Sequence, residues 1–186
     1  MRSEYSLYLL YLFVVILLFS LFLFFLFRKK HKGNRTENRK SFSIASGNIS
    51  IFFDKQENVT IIAYTADIFR VGRATGNPVF LNSPYSSEML GQAARNAMSL
   101  SNKGLVCSDV DLMKMLGSRE WKDFSRGRRN ISMHYKNGHG VVLNSTVRKS
   151  DGSYQFNHMG FEKVISPDVS DIELGKTIKE LLQRCR

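Results

Sequence analysis

The feature that most constrains this chain is a pattern written twice. Ile49-Ser50-Ile51-Phe52-Phe53 opens a strand-rich stretch that ends in a Ser-led helix carrying Leu90-Gly91. Ile131-Ser132-Met133-His134-Tyr135 opens a second, ending in a Ser-led helix that carries Leu174-Gly175. The first Ile stands 42 residues before its Gly and the second 44. Apolar and β-branched runs bounded by turn residues read as strands, and amphipathic runs behind a Ser read as capped helices. The spacing predicts two half-repeats, about 48–101 and 130–186, each a set of strands closed by a helix. The fold class that follows is α+β with a mostly antiparallel sheet. A glycine inside a helix costs about 1 kcal/mol relative to alanine. Its recurrence at one place predicts close approach of each helix backbone to a neighbour.

In the first half, residues 49–53 and 59–64 read as strands around a polar turn at 54–58, with weaker strands at 68–71 and 78–81 separated by the breaker-rich 72–77. Residues 86–98 read as a helix with Ser86 as its N-cap. In the second half, 131–135 leads through Asn137-Gly138, a two-residue hairpin signal, into 140–147. That register sets Lys136 opposite His139 and His134 opposite Val141. Asp151-Gly152 turns into 154–156, then come 161–165 and a helix over 170–182 that opens with a Ser-x-x-Glu capping box. Between the halves, residues 109–116 read as a short helix stopped by Gly117.

The N-terminal part differs sharply. Residues 5–27 hold no charge, Gly or Pro. As a helix these 23 residues span about 35 Å, enough for a hydrocarbon core of about 30 Å. The run predicts one transmembrane helix preceding the domain, since only a helix satisfies its own backbone in lipid. Arg28, Lys29, Lys30, Lys32, Arg35, Arg39 and Lys40 follow it. The expected organisation is a membrane anchor at 1–27, a basic flexible linker at 28–41 and an α+β domain at 42–186. Flanking charge puts that domain on the cytoplasmic side of the inner membrane as a single-pass protein. Residues 1–40 carry 8 Lys/Arg against 2 Asp/Glu, and the rest 19 against 14. More than half of the net charge of +11 therefore sits in the first 40 residues. The domain is only mildly basic, which weakens any case for nucleic-acid binding from charge.

Motifs for chemistry are sparse. His31 lies in the linker, His134 and His139 flank a turn, and His158 stands alone. None has metal-ligand spacing with a Cys or Glu, so no metal and no cofactor is expected. Cys107 reads as a small apolar residue, and Cys185 lies next to the C-terminus. There is no Gly-x-Ser-x-Gly elbow, and 72–76 lacks the Gly-Lys-Ser/Thr ending of a phosphate loop. The segment richest in binding chemistry combines Trp121, Lys122, Phe124, Arg126, Arg128 and Arg129. Aromatics with arginines serve as anchors in protein interfaces and as stacking groups for single strands. Its plainer reading is a loop whose Trp121 and Phe124 pack onto the core.

The stretch from Ile165-Ser166-Pro167-Asp168-Val169-Ser170 through Asp171-Ile172-Glu173-Leu174-Gly175 to Gln183-Arg184-Cys185-Arg186 resembles the closing helix of one family. These are the immunity proteins of contact-dependent growth inhibition systems, the CdiI type. The Ser86–Ser101 helix is similar to that family's internal helix, and the order of elements fits over roughly residues 45–186. The resemblance implies a non-enzymatic bacterial protein that binds the C-terminal toxin domain of a delivered adhesin, often a nuclease, and occludes its active site. Asp109, Asp111, Asp168, Asp171 and Glu173 are candidates for an acidic patch facing such a toxin. The expected partners are that toxin domain and, through residues 5–27, the membrane; no nucleic acid is expected. The rival reading is a membrane-anchored nucleic-acid-binding module using Trp121 and the neighbouring arginines. A third is an enzyme in which His134, His139 or His158 meets an acid in a pocket.

Overall fold

Twelve elements follow one another along the described residues: β1 (Asn48–Phe53), β2 (Val59–Ala66), β3 (Gly72–Ala74), β4 (Val79–Leu81), α1 (Ser87–Leu100), α2 (Asp109–Met115), α3 (Trp121–Ser125), β5 (Arg129–Lys136), β6 (Gly140–Arg148), β7 (Tyr154–Phe156), β8 (Glu162–Ile165) and α4 (Asp171–Leu182). The computed structural model describes residues 43–101, 103–157 and 161–185. The strands form one curled antiparallel sheet in the order β3-β2-β1-β5-β6-β7, with β4 also on β2 and β8 also on β6.

The pairing repeats residue for residue. Ile49 faces Ala63 and Tyr64 faces Ala74 in the first half. Residues 82 further on, Ile131 faces Ser145 and Thr146 faces Phe156. Val59 faces Leu81, and Val141, 82 further on, faces Ile165, 84 further on, so the second half gains two residues before its last strand. The halves meet where β1 runs against β5, with Ser50 opposite its own counterpart Ser132 on a local two-fold axis. The helix caps repeat too. Ser86 Oγ accepts from Met89 N at 3.1 Å and Ser170 Oγ from Glu173 N at 3.2 Å.

The recurrent glycines lie where the two long helices cross. A Cβ on Gly91 would fall on the Asp171 carbonyl, 2.7 Å from its carbon, and a Cβ on Gly175 would fall on the Ser87 carbonyl, 2.6 Å from its carbon. Each helix thus rests its glycine on the first turn of the other. Leu90, Ala94, Leu174 and Ile178 flank the crossing and pack onto Ile49, Ile51, Ile61, Ile131, Met133 and Leu143 of one sheet face. The helix ends are tied down alike. Ser101 Oγ accepts from Asn48 N at 2.8 Å and lies against the Tyr64 carbonyl, while the Cys185 thiol donates to Asn130 O at 3.1 Å. On the opposite face, Phe52 and Ile62 pack under Leu112 and Met113 of α2, Leu116 at its C-cap and Phe124 of α3.

Several expectations need correction. The fold class anticipated a membrane-crossing helix ahead of the domain. No helix among the described residues is long and apolar enough to cross a membrane, and residues 5–27 lie outside the described residues. The architecture is the curled sheet with its four helices, and the single-pass inner-membrane placement has no support. Residues 68–71 are not a strand. Asp67 Oδ1 accepts from Phe69 N at 2.8 Å and Val71 N at 2.9 Å, Arg70 adopts a φ of 61°, and the segment closes into a loop. The strand forms instead within the glycine-rich stretch, at β3. The β5–β6 connection has three residues rather than two. Lys136 faces Gly140 and His134 faces Val142, because Gly138 (φ 74°) and Gly140 (φ 102°) both take left-handed backbone.

Candidate partner-binding surface

The Trp121–Arg129 segment builds a lid over the second sheet face. The Trp121 ring meets Phe52 at a centroid distance of 5.5 Å and Phe124 at 5.3 Å, and its Nε1 donates to Gly152 O at 3.0 Å. Phe124 is buried beneath it, 5.3 Å from Phe52, and Tyr154 closes the cluster at 5.5 Å. The Tyr154 hydroxyl donates toward the carbonyls of Ser125 and Arg128, at 3.1 and 3.0 Å, and burial pushes its pKa up to about 12. Arg148 Nε donates to Ser125 Oγ at 3.0 Å and Nη2 to Lys122 O at 3.2 Å, fastening the short helix from below.

The arginines divide. Arg128 stacks 4.5 Å above the Phe124 ring, donates to Phe124 O at 2.7 Å and lies 3.8 Å from Asp54. Arg129 donates to Leu182 O at 3.4 Å and approaches Glu57 at 3.9 Å. Lys122 and Arg126 are exposed, Arg126 with Asp123 at 2.9 Å. Of the six sequence-selected residues, the two aromatics therefore pack inward, two arginines brace neighbouring carbonyls, and two cations face water.

The five candidate acids do not share a face. Asp109 and Asp111 belong to α2 over the second sheet face, while Asp171 and Glu173 lie in the first turn of α4 on the first face and Asp168 in the turn before it. Asp171 also holds Arg95 Nε at 2.6 Å, and Arg95 reaches the carbonyls of Pro167 and Val169. Its role there is to fix the helix crossing.

Neither thiol is set up as a nucleophile. Burial raises the pKa of Cys185, and burial followed by the charges of Asp111 and Asp109 raises that of Cys107. His134 is half-buried on β5, His139 is exposed in the hairpin loop, and His31 and His158 lie outside the described residues. Among the described residues no group of three or more His, Cys, Asp or Glu could hold a metal ion.

A feature the sequence reading passed over lies at the β3 edge. Val106 bridges Thr75, and Cys107 N donates to Ala74 O at 2.9 Å, so residues 105–107 extend the sheet beyond β3. An open hollow of about 440 Å³ forms there, lined by Leu105, Val106, Cys107, Asp111 and Met115 among others. The signal was the apolar run Leu105-Val106-Cys107 behind Gly104, too short to read as an element.

Set against solved structures, the chain is similar to the protein of unknown function NMB0488 from Neisseria meningitidis, with a TM-score of 0.60 at 16% identity over 81% of this chain and 99% of that one. It is also similar to a chain of the CdiA-CT/CdiI toxin and immunity complex from Yersinia pseudotuberculosis, with a TM-score of 0.58 at 15% identity over 76% of this chain and 98% of that one. At such identities the likeness is one of fold. No protein-family model and no curated protein matches the chain.

Proposed function

We propose that this chain is an immunity-type binding protein. It neutralises the C-terminal toxin domain of a contact-dependent growth inhibition adhesin by covering the toxin's active site, stoichiometrically and without turnover. The observation that carries this reading is the shared fold with a chain of a toxin and immunity complex, which extends over nearly all of that chain. The sequence resemblance in both Leu-Gly helices points the same way. Lys122, exposed on α3, and Arg126, exposed just after it, are first candidates for polar contacts at the rim of the interface.

The nucleic-acid reading needs aromatic faces open to bases. Phe124 is buried, and Trp121 packs against Phe52 and Phe124 with its indole N–H bonded to Gly152. No observation favours that alternative.

The test is co-expression of the full chain with the toxin domain encoded beside it. The expected result is a stable 1:1 complex and protection of the producing cell. Absence of both complex and protection refutes the proposal.

A further inference from the structure

The internal repeat supplies a control for every surface residue, because each half shows what the shared backbone requires. The β2–β3 loop, residues 67–71, has its twin at residues 149–153. In the first, Asp67 N donates to Val71 O at 2.9 Å and Arg70 N to Asp67 O at 2.9 Å. In the second, Lys149 N donates to Ser153 O at 2.8 Å and Gly152 N to Lys149 O at 3.0 Å. Arg70 and Gly152, at equivalent positions, both have positive φ. The backbone is the same, yet the tips differ. The twin carries exposed Ser150 and Asp151, whereas this loop carries Ile68 at 89% exposure and Phe69 at 78%. The fold does not need apolar groups at this tip, since the second half makes the same turn from polar ones.

These two side chains are not scattered surface hydrophobics. The Thr75–Val106 bridge and the Cys107–Ala74 hydrogen bond run residues 105–107 antiparallel to the strand leaving that loop. Leu105 (89% exposed), Val106 and Met115 therefore line the hollow just past the end of β3, while Val71 is exposed just ahead of the same strand and Val110 in the first turn of α2. An exposed apolar gathering of this kind marks an interaction site. Charge describes what sits there. Asp109 and Asp111 have no ion pair among the described residues and lie beside Cys107 at the hollow, where Lys114 is the one cation of the lining; at the loop Arg73 is paired with Asp67 at 3.4 Å and Arg70 is exposed.

We infer that the Ile68–Phe69 loop tip and the Leu105–Met115 hollow together form the apolar contact surface for the toxin domain, whose own contact carries an apolar projection flanked by Lys or Arg that meets Asp109 and Asp111. This inference rests on the proposed function and names the part of the chain that performs it.

The test gives this loop its twin's residues. Ile68→Ser with Phe69→Asp in the full chain, and separately Leu105→Asp, are measured against the purified neighbouring toxin domain by isothermal titration calorimetry. Thermal unfolding and light scattering are run alongside. The expected result is that both variants unfold as the wild type does and bind at least about 30-fold more weakly, the loss that truncating an interface anchor brings. Wild-type binding with both variants within threefold overturns the inference and leaves the proposed function standing. A wild-type chain that self-associates through this edge, with variants that are monomeric but bind toxin normally, assigns the surface to a second copy and also overturns it. No wild-type binding removes the proposed function and this inference together.

Discussion

The glycine crossing gives a prediction whose sign opposes intuition. Gly91→Ala and Gly175→Ala each replace a helical glycine, a change that helix propensity alone values at about 1 kcal/mol of added stability. Here the new Cβ would stand 2.7 Å from the carbonyl carbon and 3.0 Å from Cα of Asp171, or 2.6 and 3.0 Å from those of Ser87. Carbon atoms rest at about 3.5–4.0 Å, so the helices must part by roughly 1 Å. A gap of that size forfeits about a quarter to a half of each affected contact, and a buried leucine makes about 40–60 contacts of about 0.1–0.2 kcal/mol. Losing a quarter at each of Leu90 and Leu174, both fully buried, costs about 4 kcal/mol. Subtracting the propensity gain leaves a net loss of about 3 kcal/mol for either single variant. Urea unfolding followed by the fluorescence of the single tryptophan, Trp121, reads this directly. The double variant should lose little more than either single one, because the second Cβ enters space the first has opened. A stabilised single variant, or a double variant equal to the sum, would refute the reciprocal seating.

Three further outcomes follow from particular contacts. Asp171→Asn removes the carboxylate 2.6 Å from Arg95, whose side chain is only 8% exposed, and should cost about 3 kcal/mol in the same unfolding assay, whereas Arg95→Met should cost less. Thr75 is fully buried and its Oγ1 has no hydrogen-bond partner among the described residues, so Thr75→Val should raise stability by about 1 kcal/mol, seen as a higher urea midpoint at unchanged slope. The Asp67 carboxyl is held below the usual aspartate range, first by Val71 N–H and then by Phe69 N–H and Arg73. A depressed folded pKa means its contribution is complete above the ordinary aspartate pKa and is lost as pH falls through the lower folded value. The amide resonances of Phe69 and Val71 should shift together in that acid window, and Asp67→Asn should abolish the transition.

What the sequence disclosed was governed by local rules that tertiary packing left intact. The Ser caps, the polar turn after β1 and the Leu-Gly pairs each depend on neighbours within a few positions or on a repeat that could be counted. The misread loop at 68–71 has strand-forming residues, and only the Asp67 carboxylate with the left-handed Arg70 makes it a turn. The hairpin after β5 gained a residue because Gly140 accepts a backbone that few other residues tolerate. Helix α3 was invisible since it has five residues and no side-chain N-cap bond, and its reason for forming is the Phe52–Tyr154 cluster far off in sequence. The candidate site was half legible. Trp121 and Phe124 stand out in the sequence and pack inward, as the plainer reading of their segment expects, while the hollow at Leu105–Met115 arises only when β3 brings Thr75 beside Val106.

The mutual seating of the two long helices bears on how the molecule assembles. A fragment ending at Ser101 keeps Leu90 and Ala94 but loses the shelf on which Gly91 lies, and a fragment starting at Arg129 is deprived in mirror image. Each piece alone would show water an oily stripe, and mixed together the pieces hold both sides of that crossing, though not the α2 and α3 cover of the second sheet face. Interlocked halves of this sort behave as one folding event with a seam through the middle, as a dimer would if its subunits shared a single thread.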